Sequence, residues 1–111
     1  MKLPADSLIA VEKITRYLLV PLARGDKSAF LSRAGYTSEN PQQLLDDLRS
    51  QVLPRDAVAA GENMFGRYFE VRGLLRGPNG LDLSVRTIWM TEHLSGRTKF
   101  VTLFPDKEKK R

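Results

Sequence analysis

The four residues Gly77-Pro78-Asn79-Gly80 restrict the fold of this chain more than any other stretch. Proline pre-sets φ for the first turn position, asparagine tolerates the bridge or left-handed region, and glycine takes φ > 0 without a Cβ penalty. Pro78-Asn79-Gly80 therefore reads as a three-residue hairpin loop, a type I turn followed by a G1 bulge. With Gly77 facing Leu81, Leu75 falls opposite Leu83, Gly73 opposite Val85, Val71 opposite Thr87 and Phe69 opposite Trp89. Cross-strand partners share a face, so the apolar residues collect on one side. A two-residue loop on Asn79-Gly80 would set Leu75 against Ser84 and Val71 against Ile88, a poorer match.

Period-2 alternation extends this hairpin into a meander. The strands are expected over Arg67 to Arg76, Leu81 to Thr91 and Lys99 to Phe104, the last pair joined by Leu94-Ser95-Gly96. That loop puts Thr91 opposite Lys99, Trp89 opposite Val101 and Thr87 opposite Leu103. Phe69, Val71, Leu75, Leu83, Val85, Trp89, Val101 and Leu103 then form the inner face, and the other side can meet water.

The residues before the meander follow a helical period. Val11, Ile14 and Leu18 form a stripe within residues 8–19, a segment that Pro21 ends. Asp26 stands at an N-cap ahead of Phe30, Leu31 and Ala34, and Gly35 stops that helix. Lys27 is then expected in its first turn, where the helix dipole disfavours a cation. Asn40-Pro41 opens a third helix carrying Leu44, Leu45, Leu48 and Val52. Residues 57–62 read as a short strand or a connector. The expected architecture is α+β: three short N-terminal helices packed on one face of a three- to four-stranded antiparallel meander. Residues 1–105 form a single domain and residues 106–111 a basic flexible tail.

Composition narrows the chemistry. The chain has 111 residues, no cysteine and one histidine, which removes disulfides and thiol nucleophiles and leaves a zinc cage dependent on carboxylates. No phosphate-binding Gly-x-x-x-x-Gly-Lys, Gly-x-Ser-x-Gly or His-Glu-x-x-His pattern is present. No cofactor or metal is expected. No apolar run reaches the roughly 18 residues needed to span a bilayer, and the start lacks a secretory h-region. A cytoplasmic protein without a membrane partner is the expectation. The net charge of +5 makes polyanions suitable partners. Much of it sits in the last residues, where Lys109, Lys110 and Arg111 read either as a solvated tail or as a nucleic-acid arm.

The hairpin register puts Tyr68, Glu70, Arg72, Leu74 and Arg76 on the outer face. Ser84, Arg86, Ile88 and Met90 join them, with Phe100, Thr102 and Phe104 from the last strand. Arg72 lies directly opposite Arg86, a like-charge pair that costs a few tenths of a kcal/mol, order of magnitude. An anion between the two removes that cost, and so does neutralisation by Glu70. Guanidinium groups and aromatic rings together suit RNA, with Arg72, Arg76 and Phe100 as contacts. The same face also reads as an interface with a partner protein, or as incidental. For phosphodiester chemistry the candidates are Lys27, Tyr68, Arg86 and Thr102. His93, whose ordinary pKa is nearest neutrality, is expected as an exposed turn residue. Asp46 and Asp47 point about 100° apart on their helix and do not converge.

Several segments together resemble a known family. They are Tyr17-Leu18-Leu19-Val20-Pro21, Asp26-Lys27-Ser28-Ala29-Phe30-Leu31 with Gly35-Tyr36-Thr37, Gly66 with Tyr68, Gly77-Pro78-Asn79-Gly80, Thr87-Ile88-Trp89 and Phe100-Val101-Thr102-Leu103. Over roughly Lys13 to Pro105 the chain is similar to the bacterial domain-of-unknown-function family six-eight-eight-three, small proteins or toxin-like carboxy-terminal domains. Where many members carry an Asn-Pro and then a His-Pro, this sequence reads Val20-Pro21-Leu22-Ala23. The order of helices then meander also resembles the bacterial ribonuclease-toxin superfamily, which implies RNA cleavage. The resulting expectation is an RNA-binding domain acting as a metal-independent toxin-type endoribonuclease. The alternative is a non-catalytic interaction module, either a homodimer or the partner of a small neighbouring protein.

Overall fold

The computed structural model describes residues 1–106; Lys109, Lys110 and Arg111 lie outside them. Gly80 adopts φ +89°, its amide donates to the Gly77 carbonyl at 3.0 Å, and the Gly77 amide donates to the Leu81 carbonyl at 3.0 Å. The three-residue loop closes as expected. It joins β2 (Gly66–Arg76) to β3 (Asp82–Glu92), and the ladder sets Phe69 opposite Trp89, Val71 opposite Thr87, Arg72 opposite Arg86 and Leu75 opposite Leu83.

The turn also docks on a helix end. A Cβ at Gly77 would overlap the Ala34 carbonyl oxygen, and that same oxygen accepts the Asn79 amide at 3.2 Å. Asn79 Nδ2 donates to the Arg33 carbonyl at 3.0 Å. Two carbonyls left over at the end of the second helix are thereby satisfied.

β4 (Thr98–Pro105) pairs with β3 in a register that departs from expectation at its start. The loop is one residue longer: Glu92 N donates to Arg97 O, and Gly96, at φ +72°, donates to Glu92 O. Thr91 therefore faces Thr98 and Trp89 faces Phe100, until an extra residue, Val101, restores the expected Thr87–Leu103 pairing. The bulge reverses two assignments. Phe100 is buried and meets Trp89 edge-on at 5.2 Å, whereas Val101 is half-exposed. Trp89 Nε1 donates to Thr87 Oγ1, which donates to the Val71 carbonyl, both at 2.8 Å. The polar end of the tryptophan is thus satisfied inside the core.

Residues 57–62 resolve as a strand, β1 (Ala57–Glu62), antiparallel to β2. The sheet is four-stranded, in the order β1-β2-β3-β4.

The helices differ more from the sequence reading. α1 (Val11–Lys13) continues in a wider turn over Ile14–Leu18, where Leu19 N reaches back to Ile14 O at 3.1 Å. It begins later than residue 8 because Leu8 pairs with β4 instead, donating to Thr98 O and accepting from Phe100 N. Val11 is consequently exposed.

α2 (Ser28–Ser32) starts after Lys27, which stands outside the first turn rather than within it. Beyond it, Tyr36 N donates to Leu31 O and Gly35 N to Ser32 O, with Gly35 at φ +95°. This is the hydrogen-bond pattern of a Schellman ending. α3 (Pro41–Asp47) widens into Leu48–Val52. Asn40 does not cap it through its side chain; that side chain accepts from Thr37 N at 2.7 Å and donates to Gly35 O at 3.0 Å.

Ile14, Leu18, Leu31, Leu44, Leu48 and Val52 share one apolar cluster with Val71, Leu75, Val85, Trp89, Phe100 and Leu103. The fold is α+β with a four-stranded antiparallel sheet and three helical segments, α1 and α2 being short. Among the described residues no helix is long and apolar enough to cross a membrane.

Candidate functional site

The outer face of the sheet carries a row of side chains that runs across the strands. Arg72 on β2 is paired with Arg86 on β3, and Arg86 with Phe104 on β4. The Arg86 guanidinium carbon lies 5.0 Å from the centre of the Phe104 ring, and Lys27 Nζ lies 4.7 Å from the same centre. Two cations thus meet one aromatic ring, each attracted by its negative face.

The repulsion between the arginines is offset internally. Glu70 Oε2 is 3.2 Å from Arg86 Nη1 and 3.4 Å from Arg72 Nε, so one carboxylate oxygen serves both. Asp106 adds a longer contact, 3.9 Å from Arg72 Nη1. Glu70 is the more buried partner at 19% side-chain exposure, against 38% for Arg86 and 45% for Arg72. Both arginine side chains remain partly exposed.

Beside this row a cleft of about 490 Å³ opens between β4 and residues 13–27. Lys13, Tyr17, Arg24, Lys27 and Thr102 line it together with apolar residues. Among the described residues, none of those lining it carries a carboxylate. Lys27 and Thr102 therefore do come together, and Lys27 links the cleft to Arg86 through Phe104.

The remaining candidates lie elsewhere. Tyr68 is four residues along β2 from Arg72, roughly 13 Å in an extended strand; its hydroxyl accepts from Asn63 Nδ2 at 3.2 Å. Arg76 is held by Asp82, with Nε–Oδ1 at 2.8 Å and Nη2–Oδ2 at 3.3 Å. Its guanidinium keeps the Asp82 carboxyl below the ordinary carboxylate range. Phe100, expected as a stacking platform, is a core residue, and its counterpart on the outer face is the half-buried Phe104. His93 is an exposed turn residue as expected, with Nε2 3.2 Å from Glu62 Oε2 and 3.1 Å from the Asn63 carbonyl. Seven residues separate it from Arg86, roughly 20 Å of extended strand. No group of three or more His, Asp or Glu side chains is placed to hold a metal ion among the described residues.

Sequence reasoning missed Lys13, Tyr17 and Arg24. Lys13 and Tyr17 lie in the first helical segment and Arg24 in the break Pro21-Leu22-Ala23-Arg24-Gly25, and no spacing in the sequence shows that these run beside β4.

Neither the curated proteins nor the solved structures yield a match. A family model does match, over residues 2–107, and takes in the Tyr17-Leu18-Leu19 segment, the Gly77-Pro78-Asn79-Gly80 hairpin and the Trp89 strand. The chain belongs to the family described as Domain of unknown function (DUF6883).

Proposed function

We propose that this protein binds single-stranded RNA across the row Arg72, Arg86, Phe104 and Lys27. The observation that carries the reading is the placement of Lys27 and Arg86 on the one Phe104 ring. Cations gathered at one aromatic ring suit a phosphate backbone with unstacked bases beside it. In this reading the helices cover the opposite face of the sheet and leave the arginine side to a cytoplasmic RNA.

Strand cleavage is the weaker version. It needs a proton acceptor near neutrality beside the phosphate, and Tyr68 and His93 stand too far along the sheet to serve the phosphate that Arg86 would hold. We therefore propose binding without cleavage. Fluorescence anisotropy of a labelled single-stranded RNA at low salt tests this, and no measurable affinity would overturn it. The RNA should remain intact after incubation in metal-free buffer. Cleavage that Arg86→Ala abolishes would restore the endoribonuclease instead.

A protein-interaction module is the second reading. Met64, Phe65 and Leu94 favour it, being 81%, 66% and 103% exposed beside Tyr68. Sedimentation at high concentration checks self-association: a monomer excludes the homodimer.

A further inference from the structure

We infer that the cleft between β4 and residues 13–27 holds one nucleotide of the RNA, its phosphate against Arg24 and Lys27 and its base against Tyr17. The assignment rests on the RNA reading and extends the bound strand beyond Phe104. A cavity of about 490 Å³ is within the range of small-ligand sites, roughly 300–1,000 Å³. Its lining carries the kinds of group that a nucleotide needs. Lys13, Arg24 and Lys27 bring positive charge, Thr102 brings a hydroxyl, and Leu22 and Val101 are apolar.

The loop that delivers the cations is built to keep its acid occupied. Gly25, at φ +68°, reverses the chain, and Asp26 Oδ1 accepts from the Ser28 amide at 2.9 Å and the Ser28 hydroxyl at 2.7 Å. The Asp26 carboxylate is thus engaged by α2's first residue, and its charge also acts on the neighbouring Lys27. Tyr17 is 56% exposed, so its ring is open to a base, and stacking on an aromatic ring is tolerant of base identity. Free phosphate would gain nothing from Tyr17, Leu22 and Val101, which is why the chemistry points to a nucleotide.

The test is an amide NMR titration of the intact protein with adenosine monophosphate, adenosine, inorganic phosphate and a single-stranded oligoadenylate. Adenosine monophosphate should shift amides within residues 13–27 and 100–102, and more strongly than adenosine or phosphate does. Arg24→Ala and Tyr17→Ala, both at exposed positions, should each weaken that binding about tenfold. Phosphate that binds as well as the nucleotide would overturn the nucleotide assignment. An oligoadenylate that shifts Arg72 and Arg86 amides, while adenosine monophosphate leaves residues 13–27 unmoved, would overturn the cleft and leave the arginine row standing. No response to the oligoadenylate would overturn both.

Discussion

Arg72 and Arg86 face each other across the β2–β3 ladder and share one carboxylate oxygen, Oε2 of Glu70, at 3.4 and 3.2 Å. An unrelieved like-charge pair at this position would oppose strand pairing. Glu70 relieves it from the neighbouring outward position on β2, and under the RNA-binding proposal it stands where a phosphate would bind. On that proposal it is both counterion and competitor. Glu70→Gln should therefore tighten RNA binding about three- to tenfold at low salt, since the opposing charge is removed and the amide keeps the side-chain shape. Anisotropy titration measures this; weaker binding would mean that Glu70 orients the arginines for RNA.

Gly77→Ala should be among the more destabilising single methyl additions in the chain, because the new Cβ meets the Ala34 carbonyl oxygen that accepts the Asn79 amide. A cost of about 1–3 kcal/mol is expected for forcing that contact apart. Denaturant unfolding measures it, and Gly80→Ala separates the causes: a Cβ at Gly80 meets nothing within 4 Å, so its penalty comes from φ +89° alone.

Phe100 and Phe104 should respond in opposite ways. Phe100→Ala removes a buried ring packed on Trp89 and should cost about 3–5 kcal/mol. Phe104→Ala, on the outer face, should cost much less stability but weaken RNA binding, since Lys27 and Arg86 both lose the ring they share. Equal destabilisation by the two variants would contradict the bulge at Val101.

Glu92 reports on the end of the β3–β4 hairpin. The hydrogen bond from Lys99, then that from Ser95, holds its carboxyl below the ordinary glutamate value. Its folded value being depressed, the stabilisation is fully present above the unfolded value, about 4.3, and is lost as pH falls through the folded one. NMR titration should place the Glu92 midpoint below that of a free glutamate, and Lys99→Ala should move it upward.

The β2–β3 register was legible because Pro78-Asn79-Gly80 admits one good turn and every residue after it inherits its face. The β3–β4 register was not. Phe100-Val101-Thr102-Leu103-Phe104 places apolar side chains in both phases of the alternation, so periodicity alone cannot show a bulge, and Gly96 serves a four-residue loop as well as a three-residue one. Helix starts were obscured for a related reason: Leu8 fits a helical stripe, but its backbone is drawn to the edge of β4. Of the site, the facing of Arg72 and Arg86 followed from the turn. The meeting of Lys27 with Phe104 depends on the path of residues 20–27, which no period encodes.

The salt dependence of RNA binding tests the central claim most directly. Binding to a single-stranded RNA should weaken as salt rises, and Arg86→Ala should lower the slope of log K against log salt by about 0.7, the value for one lost phosphate contact on a single strand. Arg97→Ala, on the β3–β4 loop, should leave the slope unchanged. An Arg86→Ala slope equal to that of the unaltered protein would contradict the account.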